Sequence, residues 1–269
     1  MPLRILIRGG GDLSSGAALR LFRAGFSILI TEVEQPLAVR RTVSFSEAVY
    51  SGQISVEGLT AQRIVRMDEI QNVLGDGKIA VLVDPEASSQ KQWLPHVIVD
   101  GRMRKVPSEL AFDKVPLVIG LGPGFAAGVD CHAVIETQRG PHLGRVIWRG
   151  SASPDTGIPE RVGAAQHERV LRAPKDGFFQ SVVEIGQMVT TGSILADVDG
   201  MEICAPFSGL IRGLIHSGVR VQKGTKVGDL DPRNDRKLAF EISDKALAIG
   251  GAVLEAILSR TDLRPLLWS

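Results

Sequence analysis

Between Ala173 and Asp229 the chain repeats itself at a constant offset of 32 residues. Ala173, Pro174, Gly177, Gly186, Val189, Gly192 and Asp197 recur as Ala205, Pro206, Gly209, Gly218, Val221, Gly224 and Asp229. Seven identities in 25 positions exceed the roughly one or two that chance supplies, and the glycines fall where turns belong. Each copy runs Ala-Pro-x-x-Gly, apolar strand, glycine turn, valine, glycine turn, apolar strand. One copy cannot bury both faces of its strands, so the two copies are expected to interlock.

This pattern resembles the biotinyl/lipoyl-like β barrel-sandwich hybrid. In that family the hairpin joining the halves presents a lysine for the swinging arm. Here the hairpin is Val198-Asp199-Gly200-Met201-Glu202, without lysine, and Lys175, Lys223 and Lys226 lie elsewhere in the repeat. The amine nucleophile that attachment needs is missing from the tip. The expectation is a structural or docking module, not a carrier.

The other constraining segment is N-terminal. A β-rich run over residues 3–8 is followed by Gly9-Gly10-Gly11-Asp12, helix formers to Ala24, a stopping Gly25, and a second apolar run ending at Glu32. That is one βαβ unit, whose strands should be parallel. Further buried strands are expected at 79–83, 97–100 and 117–121, short strands around Glu57-Gly58, and a hairpin around Arg139-Gly140. The expected fold is α/β: a Rossmann-like domain with a parallel sheet over 1–150, a linker over 151–166, the barrel-sandwich hybrid over 167–232, and a helical segment over 233–269 packing on the first domain. At 269 residues the chain is long enough for two domains. A net charge of +1 offers no basic field, so neither nucleic acid nor a membrane surface is an expected partner. The most apolar stretch, 115–135, is broken by Pro116, Pro123 and Asp130. Two cysteines are too few for a disulfide framework, which makes the cytoplasm the expected compartment.

Several residues suggest chemistry. The Gly9, Gly10, Gly11 loop between strand and helix is where backbone N–H groups meet phosphate. Asp12 sets a negative charge there, and Glu32 stands where an acid bonds a ribose hydroxyl. Arg40 and Arg41 can hold a phosphate bidentately. A second glycine loop, Gly120, Gly122 and Gly124, precedes Asp130-Cys131-His132. A Cys131 thiolate beside His132 would be a nucleophile or a chalcogen carrier; the alternatives are a small buried hydrophobe and a structural histidine. Asp130, His132 and His142 match no zinc spacing, so no metal is expected.

The runs Ile5-Leu-Ile-Arg-Gly-Gly-Gly-Asp-Leu13, Thr31-Glu-Val-Glu-Gln-Pro36, Arg40-Arg-Thr-Val-Ser-Phe-Ser-Glu-Ala-Val49, Ile119-Gly-Leu-Gly-Pro-Gly-Phe125 and Gly128-Val-Asp-Cys-His132 resemble the YqeB family. The resemblance implies an accessory or maturation factor for a selenium-dependent molybdenum hydroxylase, the hydroxylase being its partner. Joined to the glycine loops, it implies that the ligand is molybdenum cofactor or another nucleotide-like molecule. An oligomer is compatible with this. The rivals are a nicotinamide-dependent oxidoreductase, which the irregular glycine spacing disfavours, and a non-enzymatic scaffold. A metallo-hydrolase of the aspartoacylase type would need a first-domain metal motif, and His96-Val-Ile-Val99 does not supply one.

Overall fold

The computed structural model describes residues 3–103, 114–155, 157 and 167–267. Of the linker expected over 151–166, residues 156 and 158–166 lie outside the described set. The chain divides into two compact units. The first comprises Met1–Pro36, Phe45–Asp155 and Ile242–Ser269; the second comprises Leu37–Ser44 and Thr156–Glu241.

The first unit is built on a nine-stranded sheet. Its strands are β1 (Arg4–Arg8), β2 (Ser27–Glu32), β3 (Gln53–Val56), β4 (Leu59–Ile64), β5 (Ile79–Val83), β6 (Val97–Asp100), β7 (Leu117–Leu121), β9 (Ala133–Ile135) and β10 (Val146–Ile147), in the order β10-β9-β7-β6-β1-β2-β5-β4-β3. A short β8 (Ala126–Ala127) pairs with β11 (Gly150–Ser151). The helices are α1 (Asp12–Arg23), α2 (Ala48–Ser51), α3 (Ile70–Gly75), α4 (Gln90–Trp93) and α5 (Asp244–Leu258). The central strands β1, β2, β5, β6 and β7 are apolar on both faces, because both faces are covered. Leu6, Leu29, Ala80, Ile98, Val118 and Val134 share one face with Ile70, Val73, Trp93, Phe125 and Cys131. Ile5, Ile7, Ile28 and Ile30 alternate onto the other face, where α1 and α5 pack.

The two helices meet through small residues. A Cβ on Gly16 would lie 2.5 Å from the carbonyl oxygen of Ala246, and one on Gly250 would lie 2.5 Å from that of Gly16. Gly250-Gly251 therefore does not break α5; its first glycine lets α1 approach. Ser243 caps α5 by accepting the Ala246 N–H.

The expected architecture, a Rossmann-like domain with a parallel sheet beside a biotinyl/lipoyl-like barrel-sandwich hybrid, is corrected. The chain is mixed α/β, with one large mixed sheet and separate antiparallel sheets. Glu57 and Gly58, both at positive φ, turn β3 back on β4 as an antiparallel pair. β10 likewise pairs antiparallel with β9. Only the strands between these edges are parallel. The βαβ unit at the start of the chain describes the middle of the sheet and not its rims.

The second unit holds two four-stranded antiparallel sheets. Its strands are β12 (Val170–Arg172), β13 (Gly177–Ser181), β14 (Met188–Val189), β15 (Ile194–Val198), β16 (Met201–Cys204), β17 (Gly209–Leu214), β18 (Arg220–Val221) and β19 (Lys226–Asp231). The orders are β12-β19-β17-β14 and β16-β15-β13-β18. Thus β14 of the first repeat joins the strands of the second, and β18 of the second joins those of the first. The repeated glycines share backbone shape: Gly186 and Gly218 have φ of 90° and 84°, and Gly192 and Gly224 both 83°.

Candidate functional site

The strand order reverses direction of growth at β1, which has β2 on one side and β6 on the other. At such a reversal the loops leaving neighbouring carboxyl ends diverge and open a crevice. Register puts Thr31, Arg8, Asp100 and Gly120 side by side along this edge. Both glycine loops therefore open at the same edge, with the end of β6 between them.

The first loop is packed at two of its glycines and open at the third. Gly9 has φ of +84°, and a Cβ there would lie 3.2 Å from Cγ of Arg102. A Cβ on Gly10 would lie 2.8 Å from the backbone nitrogen of Ser46, which donates to the Gly10 carbonyl. Gly11, the N-cap of α1, has φ of −63° and nothing within 4 Å of where a Cβ would stand. Asp12 lies in the first turn of α1 and is partly buried. The Gly10 N–H donates to Oε1 of Glu32 at 2.7 Å, and the Val33 N–H donates to Oε2 at 2.8 Å. Burial pushes the Glu32 carboxyl up, and these two bonds offset part of that. The glutamate thus braces the loop itself and is not set out for a ribose.

Sequence reasoning missed the charged cluster between the loops. Asp100 is fully buried at the end of β6. Arg102 Nε and Nη2 donate to its two oxygens at 2.9 and 2.6 Å. Arg8 Nη1 stands 3.7 Å from Oδ2, while its Nη2 donates to the Pro85 carbonyl. The available signal was an acid closing an expected buried strand, followed by Gly101 and an arginine.

The second glycine loop is close-packed. Gly120 gives room to the ring of Phe125. Gly122, at φ +80°, abuts Thr137 Oγ1 and the Met103 methyl, and its N–H donates to the Ile135 carbonyl. Gly124 is partly buried.

Cys131 and His132 part company: the Cys131 thiol takes a backbone hydrogen bond from Gly120 of the second loop, while His132 turns to β7. His132 bonds Val118, near the start of β7, through its backbone N–H and through Nδ1, which accepts the Val118 N–H at 2.9 Å. The imidazole is therefore level with Val118, two residues or roughly 7 Å along the strand before Gly120. Cys131 is buried in the apolar cluster. Burial first, then the charge of Asp130, push its thiol up to about 12, so it is protonated at neutral pH. Burial and then Arg260 push the His132 imidazole down, which suits an Nδ1 that must accept.

Arg40 and Arg41 belong to the second unit and serve its backbone. Arg40 Nη2 donates to the Leu238 and Glu241 carbonyls, and Arg41 Nε to that of Leu214. Thr42 adds a bond to the Ala239 carbonyl. At the lysine-free hairpin, Lys175 Nζ donates to the Asp199 carbonyl. Among the described residues no group of three or more His, Cys, Asp or Glu is placed to hold a metal ion, and no helix is long and apolar enough to cross a membrane.

No family model matches the chain. The "Uncharacterized protein YqeB" of Escherichia coli strain K12 is 44% identical to it over 254 residues, which is 94% of this chain. The chain belongs to the YqeB family. It spans 47% of that relative's length, so this YqeB-family chain corresponds to about half of the K12 protein. Matching solved structures include an aspartoacylase family protein from Mesorhizobium loti, 12% identical with 87% of each chain covered and a TM-score of 0.27. Another is a succinylglutamate desuccinylase/aspartoacylase from Rhodobacter sphaeroides, 16% identical, also with 87% of each covered, at 0.28. The overlap with each is too slight to carry a site across.

Proposed function

We propose that this YqeB-family chain binds a phosphate-bearing ligand at the carboxyl edge of its first unit, as an accessory or maturation factor for a selenium-dependent molybdenum hydroxylase. The ligand in this reading is molybdenum cofactor or another nucleotide-like molecule. One observation carries the binding half: Gly11 opens α1 with free space over its α-carbon, at the strand-order reversal, two residues from the glycine on which Arg102 packs. A helix N-terminus favours an anion, and a guanidinium adds a charged donor. The hydroxylase half rests on the family resemblance.

The arrangement favours binding over covalent chemistry. A chalcogen carried on Cys131 needs a thiolate, and burial opposes one. A nicotinamide reading needs an available acid at the end of β2, and Glu32 is engaged by two backbone N–H groups.

Gly11→Val tests the reading. The position is extended and unobstructed, so valine is expected to leave the melting temperature within a few degrees of wild type while filling the ligand's space. Equilibrium dialysis against molybdenum cofactor should show affinity lowered at least about tenfold, the loss of one charge-assisted bond or more. Unchanged affinity would sink the proposed site.

A further inference from the structure

Asp100, Gly101 and Arg102 form a turn seated on the first glycine loop and on α1. A Cβ on Gly101 would run into Ser14 Oγ of α1, and the stem of Arg102 lies against Gly9. The turn folds the arginine back on the aspartate. Asp100 Oδ1 accepts the Arg102 N–H at 3.3 Å and Nε at 2.9 Å, while Oδ2 accepts Nη2 at 2.6 Å. The carboxylate is fully buried, but the Arg102 side chain keeps 23% of its exposure. Asp100 takes the Nε–Nη2 edge of the guanidinium. Among the described residues Nη1 has no hydrogen-bond partner. A planar guanidinium fixed along one edge cannot swing, so its other edge is held in place beside the first glycine loop. Arg8 beside Asp100 makes the trio net positive.

We propose that Asp100 is a positioning residue that holds Arg102 rigid at the glycine loop, where its Nη1 edge receives the phosphate group of the ligand. This rests on the phosphate reading of the same edge. Its added content is that geometry matters beyond charge: an arginine locked before binding gives up little freedom when the anion arrives. A lysine at the same place carries the charge but cannot form the fork with Asp100.

The experiment is calorimetric titration of the full chain with inorganic pyrophosphate at fixed ionic strength. Arg102→Gln is expected to weaken binding about tenfold or more, and Arg102→Lys to fall between it and wild type, about three- to tenfold weaker than wild type. In an Asp100→Asn background, Arg102→Lys should cost nothing further, because the fork it removes is already gone. A general loss of structure would not produce that cancellation. Should Asp100→Asn fail to fold, Arg102→Lys decides alone: pyrophosphate affinity equal to wild type would overturn the positioning role. If Arg102→Lys matches wild type while Gly11→Val loses binding, the phosphate site stands and the inference falls. No binding of pyrophosphate by wild type, with none of AMP either, overturns both.

Discussion

At the level of single residues the glycines divide by what surrounds them. Gly9 is held by its positive φ and by Arg102, Gly10 by the Ser46 backbone, and Gly120 by the Phe125 ring. Of the three glycines in the first loop, Gly11 alone has nothing within 4 Å of where a Cβ would stand, so a glycine-rich string in the sequence mixes one open position with packing residues. The cysteines divide in the same way. Cys204 is exposed and Cys131 is buried with its thiol pushed up to about 12. Titration of the native chain with a thiol-reactive disulfide at pH 8 should therefore show one fast equivalent, with the second appearing only on denaturation. Two fast equivalents would contradict the burial of Cys131. The sequence placed Cys131 beside a histidine, and spacing alone does not say that the thiol is buried against Gly120 while the imidazole bonds Val118. The end of the strand at Asp100 was legible, but the turn that folds Arg102 back onto it was not.

Among elements, α1 and α5 come together at Gly16, Ala246 and Gly250, backbone against backbone. Neither helix has a flexible side chain there that can give way. Gly16→Ala and Gly250→Ala should each destabilise the fold by about 1–3 kcal/mol, more than the gain in helix propensity that alanine brings. Urea unfolding at pH 7 measures this. A stabilised Gly250→Ala would mean the helices stand further apart. The helix stop at Gly25, the Glu57-Gly58 reversal and the strands at 79–83 and 97–100 were legible, because local residue types decide them. Gly250 inside α5 has no local reason, since only the partner helix explains it. In the repeat, the sequence carries the turn glycines, but the exchange of β14 and β18 between sheets is a matter of pairing over long separations.

Over the whole molecule, protons should act in two steps. His96 Nδ1 accepts the Arg4 N–H and His132 Nδ1 that of Val118. Burial, then a neighbouring arginine, holds each below the ordinary 6.5. As pH falls through that value the unfolded chain takes up protons before the folded one does, so stability drops. Asp231 and Glu136 give the second step. Burial raises each, but the Arg233 bonds to Asp231 and the backbone N–H bonds to Glu136 outweigh it, leaving both carboxyls below their usual range. Their contribution is present above about pH 4 and lost as pH falls further. Denaturant midpoints from pH 8 to 3 should show a shallow decline from about 6.5 and a steeper one below about 4. His96→Gln with His132→Gln, which keeps an acceptor, should flatten the first. A first decline untouched by that pair would assign it elsewhere. The sequence foretold neither step, because each needs the partner of a titrating group. The return of α5 to a unit whose α1 is made long before it also bears on biosynthesis. At about 5–20 residues per second, a ribosome needs roughly ten to forty seconds to travel from one helix to the other. Through that interval the small-residue face of α1 stays uncovered, and the repeated strands emerge in between, so the nascent chain completes its second unit before it can close its first.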